Sequence, residues 1–570
     1  MLPDTMSSSG IKGRPCGASP GKSDENAPAG SGTGPPDRLA RHAGVIASAT
    51  MTSRVAGFVR DAAVLAVFGA SMADTFILAF VLPNVLRRLL AEGSLTIAFV
   101  PVFTSRLQAS GREAAKALAD KAFTVVAMGL ALVVLGGVLG ARVLVDLLAS
   151  DWRADGEKFE LTVMMARWVF PYLWMIGLVA LAMGVLNSLR KFFTPAASPV
   201  LLNLGIIAGA LVFSRWVDPP ILGVAYGVLI GGGAQVLVNW VALSRSGFAP
   251  RLDFRFNDPD LRRLFWLMLP ATFGASIHQV NVLLSKAFAA SEADGAVSWL
   301  YSADRLIELP LGVFAVSMAV AALPSLSEHA ASGRFERYKE TLSDGLRQVL
   351  FVMIPASIGL IILSVPAVSV VFQRGAFTHE DTQAAALALT MFAVGLPAVA
   401  CTRVVVQGFY ALQDTKTPVA VGVLSVAVFW TSAKLLMAPL GHGGIALATS
   451  IAATVNLAFC LLLLRRKVGR LGLCKTGASV ARVVPATVLM AGVAFGLALS
   501  GDWELGAAGV DLATARNVAV FVVTVVAGVV VYGLAAFAAG SSEARELSRY
   551  LGCRFRLRRG GDEGGGKRAE

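Results

Sequence analysis

From about residue 39 to residue 540 the sequence is a succession of long apolar runs separated by short polar ones. Nothing constrains the fold more. In a bilayer every backbone N–H and C=O must be satisfied within the protein, which leaves helices or closed barrels. A spanning helix needs roughly 20 apolar residues, a barrel strand only about 10. The runs predict fourteen helical spans, near 39–67, 74–104, 122–148, 160–187, 198–214, 220–243, 264–289, 296–327, 345–372, 383–411, 418–437, 443–464, 479–500 and 516–540. The expected fold class is an all-α polytopic membrane protein. Composition agrees, with 55% hydrophobic and 15% charged residues, where a soluble chain carries about 25% charged.

The loops alternate in charge. Arg106, Arg112, Lys116 and Lys121 follow span 2, Arg190 and Lys191 follow span 4, and Arg245, Arg251, Arg255, Arg262 and Arg263 follow span 6. Arg334, Arg337 and Lys339 follow span 8, Arg465, Arg466, Lys467, Arg470 and Lys475 follow span 12, and the C-terminal tail holds Arg554, Arg556, Arg558 and Arg559. The intervening loops hold few basic residues, chiefly Arg153, Lys158, Arg215 and Arg374. Basic loops stay on the cytoplasmic side, so both termini are expected there. The net charge of +13 is thereby spread over topology signals, which argues against a nucleic-acid partner.

Residues 1–37 are rich in Ser, Gly and Pro and read as a disordered tail without the apolar core of a signal peptide. Gly21-Lys22-Ser23 resembles the end of a phosphate-binding loop, but Cys16 stands where its first glycine belongs. Cys16, Cys401, Cys460, Cys474 and Cys553 form no CxxC pair and have no His at metal spacing, so neither a disulfide framework nor a metal site is expected. No HExxH, GxSxG or soluble carboxylate dyad occurs, and the chain does not read as an enzyme.

An internal repeat divides the spans. Leu189 and Thr194-Pro195 recur as Leu412 and Thr417-Pro418, 223 residues later, and Pro101 matches Pro324 at the same offset. Ser110 to Arg112 is echoed by Ser332 to Arg334. Six spans per repeat is an even number, so the halves insert in the same orientation, related by a pseudo-twofold axis along the membrane normal with a substrate site between them. The expected division is a tail at 1–37, an N-lobe at 38–246, a C-lobe at 247–466, a pair of final helices at 467–540 and a basic tail at 541–570.

Charges within the spans mark the interior. An ionisable group at bilayer depth costs roughly 2.5–3.5 kcal/mol on insertion scales and normally faces a cavity or a partner. Span 1 carries Arg54, Arg60 and Asp61. Arg54 and Asp61 share a face two turns apart, while Arg60 projects about 100° away from Asp61. Span 2, read as one helix over Ala73 to Arg106, carries Arg87, Arg88 and Glu92. Arg88 and Glu92 make an i,i+4 pair, leaving Arg87 without a local partner. Asp74 opens span 2 either as an N-cap or as part of an outer gate. Span 8 carries Asp304, Arg305 and Glu308, with Arg305 able to pair with Glu308. Arginine offers a planar fork suited to phosphate oxygens and keeps its charge, so the cavity is expected to take a phosphate-bearing anion. Lys286 and Lys434 read as snorkelling side chains, and His278 and Gln279 as polar packing.

Five stretches together resemble the MurJ (MviN) lipid II flippases of the multidrug/oligosaccharidyl-lipid/polysaccharide exporter superfamily. They are TSRVAGFVRDAAVLAVFGAS (52–71), LPNVLRRLLAEGSLTIAFVPVF (82–103), NSLRKFFTPAASPVLLN (187–203), GAVSWLYSADRLIELPLGVF (295–314) and FQRGAFT (372–378). The resemblance covers about residues 38–540. It implies two six-helix lobes around a cationic cavity, two last helices forming a groove for a lipid tail, and alternating access. The implied cargo is an undecaprenyl-pyrophosphate-linked peptidoglycan precursor, carried from inner to outer leaflet of the bacterial cytoplasmic membrane. The cavity arginines it implies are Arg54, Arg60, Arg87 and Arg305, with Asp61, Asp74, Glu92, Ser298, Asp304 and Glu308 as associated cavity and gate positions. Membrane lipids and cell-wall synthases are the further partners it suggests.

Two features depart from the family pattern. One is the N-terminal tail. The other concerns a sodium ion that some relatives hold between carboxylates of helices 7 and 11. Here Ser285-Lys286 and Ala433-Lys434 occupy that region, and lysines repel a cation that needs hard oxygen ligands. The expectation is a chain without cofactor or sodium site, driven by membrane potential or another ion gradient. The alternatives within transport are a drug or metabolite antiporter, or a flippase for another lipid-linked oligosaccharide, of the same superfamily.

Overall fold

A computed structural model describes residues 35–89, 95–501, 503 and 512–545. Every regular element among them is helical: α1 (Pro35–Leu86), α2 (Thr96–Leu139), α3 (Ala141–Leu148), α4 (Gly156–Val169), α5 (Pro171–Ser188) and α6 (Phe193–Leu211). Then come α7 (Leu222–Arg245), α8 (Pro259–Ala290), α9 (Ala296–Pro310), α10 (Val316–Ala331), α11 (Phe335–Ile362) and α12 (Ser364–Phe372). The chain continues with α13 (His379–Ala411), α14 (Lys416–Leu440), α15 (His442–Val468), α16 (Leu473–Ala498) and α17 (Leu512–Ala538). From Ile46 onward the helices form one compact unit, to which all packing below belongs.

Twelve stretches among the described residues are long and apolar enough to cross a membrane. They accommodate the fourteen expected spans with two differences. Gly69 (φ 68°) and Gly111 (φ 79°) turn the chain inside α1 and α2, so the first three spans share two helices. The seventh span is α8, which is not among the twelve; His278, Gln279 and Asn281 dilute its apolar run. The second span is not the single helix expected over Ala73 to Arg106. α1 ends at Leu86, a π-turn holds Arg87–Leu89, and α2 resumes at Thr96. Most of the expected tail, residues 1–34, lies outside the described residues; Pro35 already opens α1. Of the basic tail, residues 546–570 lie outside them.

The repeat is visible in backbone geometry. Arg190 and Gln413, 223 residues apart, are the two non-glycine residues with positive φ among those described, at 59° and 58°. The N–H groups of Leu189, Arg190 and Lys191 bond to the carbonyls of Val185, Asn187 and Leu186; those of Leu412, Gln413 and Asp414 bond to the corresponding Gly408, Tyr410 and Phe409. A left-handed residue costs an L-amino acid roughly 1 kcal/mol or more, so its recurrence at one offset marks the same corner built twice. The positive-φ glycines Gly111 and Gly333, and Gly247 and Gly469, recur at an offset one residue shorter.

Small residues set the tightest helix contact. Gly205 and Gly209 of α6 face Gly223, Gly227 and Gly231 of α7 so closely that a Cβ on Gly227 would meet Gly205 O and lie 3.0 Å from Gly209 Cα. Between spanning helices such backbone approach supplies the dispersion that hydrophobicity cannot. The last two helices, α16 and α17, pack on α11 around Phe351, Val483, Met490 and Tyr532, with Tyr532 Oη donating to Phe351 O at 2.6 Å. On α17 Val522, Val526, Val529 and Leu534 are more than half exposed, a surface that only hydrocarbon would cover cheaply. Cys401 and Cys460 are buried free thiols.

Candidate functional site

The expected charges on α1 and α9 meet around one carboxylate. Asp61, 5% exposed, takes Nε and Nη2 of its neighbour Arg60 on Oδ1 at 2.8 and 2.6 Å. Its other oxygen, Oδ2, lies 2.9 Å from Arg305 Nε in the second half of the chain. The divergence of Arg60 and Asp61 expected from helix geometry is overridden by the length of the arginine side chain, which folds back to the carboxylate. Tyr301 closes the cluster: its Oη donates to Asp61 Oδ1 at 3.1 Å and accepts from Arg305 Nη2 at 2.8 Å. Asn203 of α6 accepts from Arg60 Nη1 at 3.1 Å and donates to Ser53 O, fixing that guanidinium to a third helix. Arg305 also makes the expected bond to Glu308, at 3.1 Å. One carboxylate thus holds two arginines across the two halves.

Arg54, two turns before Asp61 and about 9 Å along the helix from Arg60, is different. Among the described residues it has no hydrogen-bond or ion-pair partner, and its guanidinium lies against Gly312 in a π-turn, Leu311–Ala315, between α9 and α10. Four further polar groups within the helices are exposed: His278, Asp304, Glu308 and Arg403. His278 is within electrostatic reach of Arg88, Arg403 and Glu308, and Asp304 of Lys286, Arg305 and Arg88. His278 is therefore not packing as expected; Gln279 beside it is buried. Arg403 on α13 was not singled out by sequence, although an arginine deep in an apolar run is the same signal that marked Arg305.

Asp74 lies neither at a helix start nor at the surface. It is 1% exposed and caps α9 rather than its own helix, accepting from the N–H groups of Gly295 and Ser298 at 2.9 and 2.8 Å. The Ser298 hydroxyl stands 2.6 Å from Asp74 Oδ1. Lys158, buried over the Trp152 ring, reaches Asp294 at 2.6 Å and Asp74 at 3.5 Å. Nearby, Ala376 N donates to Ala66 O. These contacts join the halves at the end of the bundle whose loops are poor in Lys and Arg. Tyr301 and Asn203 escaped the sequence reading because a tyrosine and an asparagine carry no periodic signal, and Lys158 was legible only as a basic residue of a sparse loop.

Arg87 does have a local partner: Asn84 Oδ1 accepts its Nε–H at 2.9 Å. Glu92, and with it the expected Arg88 pair, lies outside the described residues. Lys286 does not snorkel; its Nζ bonds Val297 O at 3.4 Å and sits over the Tyr301 ring. Lys434 is exposed, with Nζ over Phe288. No group of three or more His, Cys, Asp or Glu among the described residues could hold a metal ion.

A helical multi-pass bundle with a charged interior shared by two repeated halves defines a membrane protein of the exporter fold. A solved inward-facing multidrug-resistance MATE transporter has that fold, with TM-score 0.61 at 17% identity over 75% of this chain and 98% of its own. So has a solved lipid II flippase MurJ in an inward closed conformation, with TM-score 0.70 at 23% identity, 88% and 99% covered. Sequence decides between the two. The family model described as lipid II flippase MurJ matches residues 64–508. A probable lipid II flippase MurJ of Bdellovibrio bacteriovorus is 36% identical over 75% of this chain and 82% of its own. The lipid II flippase MurJ of Burkholderia cenocepacia is 34% identical over 80% and 89%. The chain belongs to the lipid II flippase MurJ family.

Proposed function

We propose that the chain carries lipid II, the undecaprenyl-pyrophosphate-linked peptidoglycan precursor, from the inner to the outer leaflet of the bacterial cytoplasmic membrane. The observation that carries this reading is the interior cation set: Arg60 and Arg305 held by one carboxylate, with the unpaired Arg54 a few turns away. An anionic headgroup crossing a bilayer needs cations on its path, and membership in the MurJ family supports the pyrophosphate as that anion. Arg54, Arg60, Arg87 and Arg305 face the cargo in this reading; Asp61, Glu92, Asp304 and Glu308 balance them, and Asp74 with Ser298 forms the outer gate.

The distribution of basic loops supports cytoplasmic termini, which puts the Asp74 contact at the outer face and the cavity mouth at the inner one. Alternating access would then part Asp74 from α9 and close the basic end. Residues 38–246 and 247–466 act as the two lobes, and α16 and α17 offer their exposed valine face to the lipid tail. No bond is made or broken, and no cofactor is required. The drive is membrane potential or an ion gradient other than sodium, since Lys286 and Lys434 put ammonium groups on α8 and α14, the seventh and eleventh spans. Cell-wall synthases would consume the flipped precursor.

The test is to deplete the resident flippase of a bacterium, express this chain, and measure the precursor accessible to a periplasmic cleaving enzyme. Wild type restores the flipped pool. Arg54→Ala, at normal membrane abundance, does not. Equal activity of the two would refute the role of the cavity cations.

A further inference from the structure

Gly312 is the second residue of the π-turn that links α9 to α10. π-turns carry one residue more than an ordinary helical turn and are frequent at functional sites. A Cβ placed on Gly312 would collide with Arg54 Nη1 and lie 2.8 Å from Nη2 and 2.9 Å from Cζ. The head of Arg54 therefore rests against the bare Cα, and no carboxylate among the described residues holds it there. Arg60 and Arg305 spend their N–H groups on Asp61, Asn203, Tyr301 and Glu308. No described residue takes the corresponding N–H groups of Arg54. No helix propensity explains the glycine, which costs a helix stability relative to alanine, and its φ is not in the left-handed region.

We infer that Gly312 is a positioning residue for cargo: it seats Arg54 so that the guanidinium presents its donors to a pyrophosphate entering the cavity. The inference rests on the cargo reading above. The atoms a Cβ would meet are the far end of one flexible side chain, so Gly312→Ala leaves the fold intact and moves Arg54 instead.

The experiment compares wild type, Gly312→Ala, Arg54→Ala and the double variant for binding of farnesyl pyrophosphate in detergent, with farnesol as the uncharged control, alongside thermal melting. A charge-assisted contact predicts a loss of affinity of about 10- to 100-fold in Arg54→Ala. Gly312→Ala should lose several-fold while melting at or above the wild-type temperature, and the double variant should bind no worse than Arg54→Ala. Wild-type affinity in Gly312→Ala, or full multiplication of the two losses, overturns the inference. If wild type binds no pyrophosphate, the cargo reading fails separately. A cryo-EM map of Gly312→Ala then decides the positioning: a displaced Arg54 head upholds it and an unmoved one overturns it.

Discussion

Asp61 should be the residue on which the interior depends most. It is nearly inaccessible and holds two guanidinium groups, whose side chains are 10% and 28% exposed. Asp61→Asn keeps the shape but removes the negative charge that bridges them and turns two N–H donors toward the arginines. Removing one partner of a buried ion pair costs about 3–5 kcal/mol. The lower end, about 3 kcal/mol, applies here because water reaches part of Arg305. Arg305→Gln should cost less, since Asp61 retains Arg60. In the double variant the excess cation is gone, so its loss should fall short of the sum by more than the roughly 0.5 kcal/mol that independent sites show. Reversible unfolding by SDS in mixed micelles, followed by tryptophan fluorescence, measures all three. A single Asp61→Asn variant as stable as wild type, or strictly additive losses, would refute the bridging role.

Other expectations follow from contacts elsewhere. Asp74→Ala leaves the Gly295 and Ser298 amides without their acceptor, at about 1–3 kcal/mol each; hydrogen exchange at the start of α9 should accelerate, and unchanged protection would contradict the cap. Burial alone would raise the carboxyl of Asp414, but hydrogen bonds from Lys467 and Thr417 prevail and hold it at about 2. A depressed value means that its stabilisation is complete above its ordinary pKa of about 3.9 and fades as pH falls through 2. Asp414→Asn should therefore be less stable than wild type at pH 7, with the gap closing toward pH 2; a gap independent of pH would exclude the linkage. Gly227→Val should force α6 and α7 apart and cost at least about 1–3 kcal/mol, read as lost membrane abundance, whereas Gly233→Val, where a Cβ meets nothing, should be tolerated.

What could be read from sequence was what bilayer physics enforces. Apolar length located the helices, and intramembrane charge picked out Arg54, Arg60, Asp61 and Arg305, because neither can be placed freely in hydrocarbon. Helix geometry read from spacing failed where side chains are long: Arg60 reaches the residue next to it, and Arg305 reaches across to α1 instead of stopping at Glu308. Asp74 was legible as a cap but not as the cap of another helix, since a one-dimensional pattern cannot say whose amides a carboxylate meets. Gly69 and Gly111 blurred span boundaries because a single left-handed residue turns a chain without any polar loop. Arg403 lies deep in an apolar run and so carries the same sequence signal as Arg305.

The cap that Asp74 places on α9 also bears on kinetics. In the proposed alternating access, parting that contact leaves a carboxylate and two amides to find new partners at once, while Lys158 keeps Asp294, and acyl chains offer none. The only supplier is water, so this end of the bundle can open only by becoming wet. Its opening rate is then a wetting rate, which excluded osmolytes should slow by withdrawing water while leaving the closed state untouched.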